Sequence, residues 1–347
     1  MIVALNQKEL IYSGRIDVTN PKKPEFIFPA SSLHFRFFGK TAVITLENKR
    51  AGWENYMGAI VDGEQKKWHL LHRGETEIVL LEEETEAEHD ILFFKRQDSC
   101  HEVILKQLKL SEGAKLLKPH PLPERKIEVY GDSVSAGEVS EAIQYTGKED
   151  PEHQGEYSNS WYSYAWMAAR KLNAQIHDVA QGGIPLLNGT GWVAPPVYPG
   201  MEYMWDKLHY HPEIGSAANW DFSRYTPHLV IVAIGQNDSH PEDYMKEQPD
   251  GTKAVMWKLK YKEFIQQIRK KYENAVIILA TTILIHDKSW DDAIEQVCTE
   301  LDDERIVHFR YKRNGCGTPG HIRISEAEEM SDELVEFIEQ LDMKIWE

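Results

Sequence analysis

Hydrophobic and polar residues alternate in short runs over roughly the first third of the chain, as strands with one buried face require. The runs that show this pattern are 34–38, 41–46, 67–71, 77–81, 90–95 and 101–110. Asp62-Gly63 between two runs predicts a hairpin turn, because glycine tolerates positive φ. The acidic run 82–86 predicts a solvated loop. We therefore expect a β-sandwich resembling a jelly roll over residues 1–115.

Proline marks the end of this pattern. Residues 118–123 contain three prolines in six positions. Because proline fixes φ and removes a backbone donor, the stretch 116–125 predicts an extended linker.

Strands and helices alternate in the remainder, residues 126–347. The predicted strands are 127–130, 176–180, 228–234, 276–284 and 306–311, and the predicted helices are 160–172 (with Ser160 as its cap), 252–272, 289–304 and 325–343. This alternation predicts a parallel sheet between two helical layers, a three-layer α/β/α domain. Sites in such domains lie at the carboxyl ends of the strands.

Charge and composition narrow the choice of partners. A net charge of −17 argues against nucleic acid and against an anionic membrane surface. No apolar run is long enough to span a membrane. Three cysteines without a Cys-x-x-Cys pair favour reduced thiols, and the first residues lack a signal-peptide pattern. We expect a cytoplasmic protein, or a secreted one if a leader has been removed.

Four polar blocks follow predicted strand ends: 131–133, 181–183, 235–238 and 317–321. Acyl transfer needs a hydroxyl nucleophile, a base and donors for the oxyanion. Ser133 supplies the nucleophile and His321 the base. The donors would be the N–H groups of Ser133 and Gly182 with the Asn237 side chain; Gly183 is the alternative to Gly182.

In order and residue type, these blocks resemble the SGNH (GDSL-type) hydrolases over residues 125–345. A β-sandwich before such a domain resembles carbohydrate esterase family 2, the two-domain acetyl esterases that act on plant polysaccharide. The resemblance implies that Ser133, His321, Gly182 and Asn237 act in the roles given above. It also implies O-acetylated sugars as substrates, with no cofactor and no metal.

One position departs from the superfamily pattern, which has an aspartate three residues before the histidine. Thr318 stands there and cannot balance an imidazolium charge. We favour a Ser–His dyad in which a backbone carbonyl orients His321. The alternative is an acid from another loop: Asp291, Asp302, Asp303 or Glu304.

Aromatic residues suggest where sugars would stack. Trp290 is the first candidate, because its loop is expected to open beside His321, and Trp192 is the second. The other aromatics of the long insertion either stack on sugars or anchor the loop: Tyr198, Tyr203, Trp205 and Trp220. On the sandwich, core packing is favoured over stacking for Trp53, Tyr56 and Trp68.

A zinc site at His209, His211 and His240 is disfavoured, because these residues lack the spacing of a helical zinc motif. The leading hypothesis is a carbohydrate O-acetylesterase that acts on acetylated oligosaccharide or polysaccharide. The alternatives are an SGNH lipase or thioesterase and a non-catalytic carbohydrate-binding protein. The sandwich would shape one wall of the cleft or mediate self-association into a homo-oligomer.

Overall fold

The N-terminal part of the chain forms an antiparallel sheet that curls over a hydrophobic core. The computed structural model describes residues 1–50, 54–192, 199–341 and 343–347. The strands of this part are β1 (Ile2–Val3), β2 (Ile11–Ser13), β3 (Ile16–Asp17), β4 (Glu25–Phe26), β5 (Ser32–Arg50), β6 (Tyr56–Val61), β7 (Glu64–His69), β8 (Gly74–Lys95), β9 (His101–Leu110) and β10 (Lys115–Leu116). The sheet order β3-β4-β9-β5-β8-β6-β7 confirms the expected sandwich-like fold.

The curl of the sheet lies in two long strands, β5 and β8. β5 pairs with β8 along most of its length, and the second half of β5 also pairs with β9. Shifts in register between Gly39 and Thr41 mark the place where the pair bends. Each strand was predicted as two shorter ones. The predicted loop 82–86 is wrong: these residues lie within β8, where residues 82–88 are exposed, and the strand pairs with β5 on either side of 83–86.

The predicted hairpin turn at Asp62-Gly63 is confirmed. It joins β6 to β7, and both residues have positive φ, 51° and 90°. Two consecutive residues of this kind make the turn whose twist matches that of the flanking strands.

The C-terminal part is a parallel sheet between helices, as predicted. Its strands are β11 (Arg125–Gly131), β12 (Ala174–Ala180), β13 (Lys207–His209), β14 (Ala218–Asn219), β15 (Leu229–Ala233), β16 (Val276–Ala280) and β17 (Ile306–His308). Its α-helices are α1 (Ser133–Ala136), α2 (Tyr164–Lys171), α3 (Met201–Met204), α4 (Tyr244–Glu247), α5 (Thr252–Lys271), α6 (Ser289–Leu301) and α7 (Ile324–Gln340), and its 3-10 helices are Ile143–Tyr145, Ser160–Tyr162, Phe222–Arg224 and Gln236–Ser239.

The five strands of the main sheet run parallel in the order β12-β11-β15-β16-β17. β15 is apolar throughout because it is buried on both faces. Leu229 and Ile231 pack with α2 and α7, whereas Val230 and Val232 pack with α5 and α6. The central strand thus separates two hydrophobic cores.

Several predicted boundaries differ from the structure, and the helices predicted to end at 304 and 343 end at Leu301 and Gln340. Ser160 does not cap α2; Asn159 caps the preceding 3-10 helix, and Ser163 accepts the Trp166 N–H at the start of α2. The strands predicted to end at 284 and 311 end at Ala280 and His308. The chain beyond both strands is irregular because it forms loops at the carboxyl edge of the sheet.

The two parts pack together through buried polar contacts. Arg15 is fully buried and donates to Glu128 Oε1 of β11 at 2.9 Å and to the Trp205 carbonyl at 2.7 Å. Ser99 donates to the Ala180 carbonyl at the end of β12 at 2.9 Å. The loop between β8 and β9 therefore reaches the carboxyl edge of the parallel sheet. The boundaries 1–115, 116–125 and 126–347 stay a prediction.

Among the described residues, no helix combines the length and the apolar character that crossing a membrane requires. The thiols of Cys100, Cys298 and Cys316 are free, in line with the sequence prediction.

His209 joins the two parts through its charge. Its ring nitrogens lie 2.9 Å from Glu102 Oε1 and 3.0 Å from Asp17 Oδ2. Burial lowers the pKa of His209, but hydrogen bonds to Glu102 and Asp17 outweigh burial and raise it to about 9. The imidazolium form therefore stabilises the interface.

We expect this histidine to make stability depend on alkaline pH. Since the folded-state pKa is raised from 6.5 to about 9, its stabilisation is complete below pH 6.5 and is lost as the pH rises through about 9. His209→Gln should lower the melting temperature at neutral pH and flatten its fall across this window. Exchanging the exposed His69 for Gln serves as the control. If the melting temperatures of H209Q and wild type fell in parallel from neutral to alkaline pH, this assignment would be contradicted.

Candidate active site

Ser133 begins α1 directly after β11. The side chain of Asp132 caps this short helix by accepting the Val134 N–H at 3.0 Å. Position 131 requires glycine because the Ser135 side chain lies close to it: a Cβ there would lie 2.1 Å from Ser135 Oγ. The N–H of Ser133 donates no hydrogen bond within the described residues. The nucleophile candidate is thus fixed by strand and helix, with an unused donor beside it.

The third block packs directly against the first. Gln236 Nε2 and Asn237 Nδ2 donate to Asp132 Oδ2 at 2.7 and 3.0 Å. Burial raises the pKa of Asp132 to about 6, against the lowering effect of the bonds from Val134 and Gln236. Asn237 Nδ2 also lies 3.1 Å from the Ile184 carbonyl. Both amide protons of Asn237 thus have acceptors, and the residue ties the second and third blocks together.

The second block corrects one predicted oxyanion donor. Gly182 N–H donates to Asp98 Oδ2 at 2.7 Å, so it is already used. The neighbouring Gly183 has φ of 69°, and its N–H donates no hydrogen bond within the described residues. Gly183, the alternative named from the sequence, is therefore the available donor.

The partner of His321 Nδ1 is a carboxylate, and not the backbone carbonyl that was expected to orient the ring. Its Nδ1 lies 2.5 Å from Asp150 Oδ2, and its backbone N–H donates to Asp150 Oδ1 at 2.9 Å. Arg323, which is fully buried, donates to the same Oδ1 at 2.7 Å. Burial would raise the pKa of Asp150, but hydrogen bonds from His321 and Arg323 outweigh burial and hold it well below its usual range. Asp150 therefore stays ionised and can stabilise an imidazolium.

The acids considered from the sequence serve other partners. Asp291 contacts His286 at 3.0 Å, and Asp303 pairs with Arg269 at 2.8 Å. Asp302 ends α6 in the left-handed region with φ of 50° and is exposed, as is Glu304. Among the described residues, none of these four carboxylates bonds to His321.

One cavity of about 470 Å³ gathers the predicted residues. Its lining includes Ser133, Glu138, Asp150, Gly182, Gly183, Trp192, Gln236, Asn237, Ser239, Leu284, Ile285, Pro319, Gly320 and His321. The candidate nucleophile, base and acid thus line the same cavity as unused backbone donors, and acyl transfer requires such a set.

Comparison with known proteins agrees with this geometry. Residues 12–121 match the family described as Carbohydrate esterase 2 N-terminal. The chain is 28% identical over 336 residues to the cellulase/esterase CelE of Acetivibrio thermocellus, covering 94% of this chain and 38% of that protein. It is 27% identical over 285 residues to an acetylxylan esterase / glucomannan deacetylase of Cellvibrio japonicus, covering 82% of this chain and 74% of that protein. The chain thus spans less than half the length of CelE.

The structural likeness covers both parts of the molecule. An active site mutant of a family two carbohydrate esterase from Clostridium thermocellum aligns with a TM-score of 0.79 and 25% identity, over 96% of this chain and 98% of that one. The chain is thus similar to carbohydrate esterase family 2 in both of its parts. Its parallel-sheet domain has the SGNH-type fold.

The first stacking candidate is wrong. Trp290 is fully buried, packs against Trp257 and Tyr244, and donates its Nε1–H to Asp243 at 2.9 Å. It lies in the first turn of α6 and faces the core because that turn packs on α4 and α5. Trp192 instead lines the cavity, is 67% exposed and stacks on His240 with ring centroids 3.7 Å apart.

The remaining aromatics divide by burial. Trp205 and Trp220 are buried in the core, whereas Tyr203 is partly exposed. Tyr56 and Trp68 are half-buried on paired strands of the sandwich, and Trp68 packs on its core. Trp53 and Tyr198 lie outside the described residues.

The histidines weighed as zinc ligands have separate partners. His209 bonds two carboxylates, His240 stacks on Trp192, and His211 Nδ1 accepts the Glu213 N–H at 3.3 Å. Ligand atoms of Asp17, Glu25 and His209 lie within 4.8 Å of one another, but both ring nitrogens of His209 already contact carboxylates. This arrangement is an ion-pair cluster at the interface.

Sequence reasoning missed Asp150, Asp98 and Glu138. Asp150 comes from an irregular loop 171 positions before His321, where no periodicity marks it. The one available signal was Gly320: a Cβ there would lie 2.5 Å from the Lys148 carbonyl and 2.7 Å from Asp150 Oδ1. A glycine beside the catalytic histidine indicated that another chain segment approaches closely.

Asp150→Asn should lower kcat by roughly 10⁴-fold, because an amide favours the wrong tautomer of the base. Stability should also fall, since buried Arg323 loses an ionised partner. Steady-state kinetics on an acetyl ester, with a melting curve for each variant, checks both effects.

The matched control is Asp302→Asn, which makes the same change in an exposed residue whose left-handed conformation asparagine tolerates. It should keep wild-type kcat. If D150N kept wild-type kcat as well, the dyad would stand.

Proposed function

We propose that this chain is a carbohydrate O-acetylesterase that uses a Ser133–His321–Asp150 triad. The observation that carries the proposal is the Asp150 carboxylate bonded to His321 Nδ1 at the cavity that Ser133 also lines. Bonding at Nδ1 leaves Nε2 as the proton acceptor for a serine hydroxyl.

In the first half of the reaction, Ser133 Oγ attacks the acetyl carbonyl carbon while His321 Nε2 takes the hydroxyl proton. Asp150 stabilises the imidazolium that results. The oxyanion accepts hydrogen bonds from the N–H groups of Ser133 and Gly183, and Asn237 joins them by exchanging one of its present contacts. The bond to the sugar oxygen then breaks, and His321 returns the proton to that oxygen.

In the second half, water attacks the acetyl-enzyme and gives its proton to His321 Nε2. Collapse of the tetrahedral intermediate returns the proton to Ser133 Oγ and releases acetate. These steps use protein groups and water alone.

The substrate class rests on two observations. The related Cellvibrio japonicus protein is an acetylxylan esterase / glucomannan deacetylase. In this chain, the cavity combines polar groups with the exposed face of Trp192, and aromatic rings are suited to pack on the faces of sugars. We propose acetylated oligosaccharides or polysaccharides as substrates.

Because the three thiols are free, we also propose a reducing, cytoplasmic setting.

Ser133→Ala should abolish release of acetate from acetylated xylan, a loss on the order of 10⁶-fold as for other serine nucleophiles. Wild type should cleave nitrophenyl acetate faster than the butyrate and octanoate esters. The control is Ser111→Ala, an exchange outside the cavity. Faster cleavage of octanoate would point to a lipase, and full activity of S133A would overturn the mechanism.

Trp192→Ala should raise KM for acetylated xylo-oligosaccharide, because loss of one stacking ring costs about 1 kcal/mol, or several-fold in affinity. KM for nitrophenyl acetate, which has no sugar to stack, should change little. Tyr203→Ala removes an exposed aromatic outside the cavity and is the control. Equal effects of W192A on both substrates would contradict a sugar platform.

A further inference from the structure

Glu138 points back into the cavity although it lies beyond the catalytic helix. Its backbone N–H donates to the Ser133 carbonyl at 2.9 Å, directly after the left-handed Gly137 that ends α1. Its side chain is 15% exposed, and Oε2 lies 3.6 Å from His321 Nε2. A Cβ at Gly182 would lie 2.0 Å from Glu138 Oε1, so only glycine there admits this carboxyl group.

The sandwich supplies the partner of Glu138. Asp98, from the loop between β8 and β9, meets the Glu138 carboxyl group at Gly182, whose N–H donates to Asp98 and where a Cβ would lie 2.0 Å from Glu138 Oε1. Asp98 also accepts N–H groups of Gly182 at 2.7 Å and of Cys100 at 3.1 Å. Two buried carboxyl groups in contact retain one proton between them, since both cannot ionise together.

The surroundings decide which group holds the proton. Burial would raise the pKa of Asp98, but the charges of His101 and Lys95 and the two backbone donors outweigh burial and lower it. Burial, followed by the charge of Asp98, raises the pKa of Glu138 far above its usual range. Glu138 is therefore a neutral acid that donates to Asp98. Its carbonyl oxygen is left to accept a hydrogen bond.

We propose that Glu138 is a further catalytic residue. Beside Asp98, its carboxyl group accepts a hydrogen bond from the oxygen atom that exchanges a proton with His321 Nε2. That oxygen belongs to the nucleophile or to the leaving group. This role rests on the proposed esterase function. In deacylation, the water oxygen bonds to the acetyl carbon and gives one proton to Nε2, while its second O–H donates to Glu138. The proton of Glu138 stays in its bond to Asp98 throughout.

Glu138 has to be neutral, because a carboxylate beside His321 Nε2 would stabilise the imidazolium form. His321 would then be unable to act as the base. The titratable groups that face Glu138 are Asp98 and Cys100 from the sandwich, Asp132 from the end of β11, and Asp150 and His321 from the triad. The rate of deacylation should therefore fall at alkaline pH, as Glu138 ionises.

The test compares Glu138→Gln with Glu138→Ala. Glutamine keeps a neutral group whose amide donates to Asp98 and whose oxygen faces the cavity, whereas alanine removes both. Wild type, both variants and Glu152→Gln, an exposed control on the loop that carries Asp150, are mixed with nitrophenyl acetate. Mass spectrometry follows formation and decay of the acetyl adduct, and melting curves confirm folding.

We expect E138A to form the adduct normally and to lose it about 10²-fold more slowly, the cost of a misplaced reactant. E138Q should deacylate at nearly the wild-type rate and keep that rate to higher pH than wild type. The control E152Q should match wild type throughout.

Two results would overturn the proposal: E138Q as slow as E138A, which would require a charged carboxylate, or E138A as fast as wild type. Absence of any adduct in wild type, or an adduct that persists in S133A, would instead overturn the proposed function itself.

Discussion

The buried carboxylate of Asp132 is the constraint on which the geometry of the site depends. Placing a carboxylate in the interior costs several kcal/mol unless hydrogen bonds replace its water. Asp132 accepts the N–H at the start of α1 and two side-chain amides from the loop after β15. These bonds hold the loops of adjacent parallel strands in one arrangement. Because Ser133 follows Asp132 directly, the same bonds set the position of the nucleophile.

The sandwich completes the site. Its β8–β9 loop lies at the carboxyl edge of the parallel sheet, where Asp98 takes the Gly182 N–H. That bond leaves Gly183 as the free donor and brings Asp98 to Glu138. Neighbouring contacts, Arg96 with Glu141 at 2.7 Å and the Lys95 carbonyl with Ser160 Oγ at 2.7 Å, hold the loop in place. The residues that line the cavity belong to the parallel-sheet part, and the sandwich supports them from behind through Asp98.

Local patterns predicted the features that depend on local physics. Period-two alternation predicted the sandwich, continuous apolar runs predicted the parallel sheet, and blocks at strand ends predicted Ser133, Asn237 and His321. The patterns failed where long-range contacts decide. The acidic stretch of β8 lies inside a strand that pairs with β5 on both sides of it, and Trp290 is buried because α6 packs on α4 and α5. Asp150 could not be predicted, since an aspartate in an irregular loop carries no sign of the histidine it meets.

The position of Asp150 explains how the site functions with Thr318 where an aspartate is expected. Thr318 is buried, and its carbonyl accepts the Ile285 N–H at 3.0 Å, so it joins two loops. A carboxylate from a separate loop needs its own anchor, and Arg323 provides one by bonding both Asp150 Oδ1 and the His321 carbonyl. Base, acid and arginine thus form a closed set of contacts at the start of α7. Because Arg323 is fully buried, its charge is compensated chiefly by Asp150, and the acid that orients the base also keeps this arginine inside the fold.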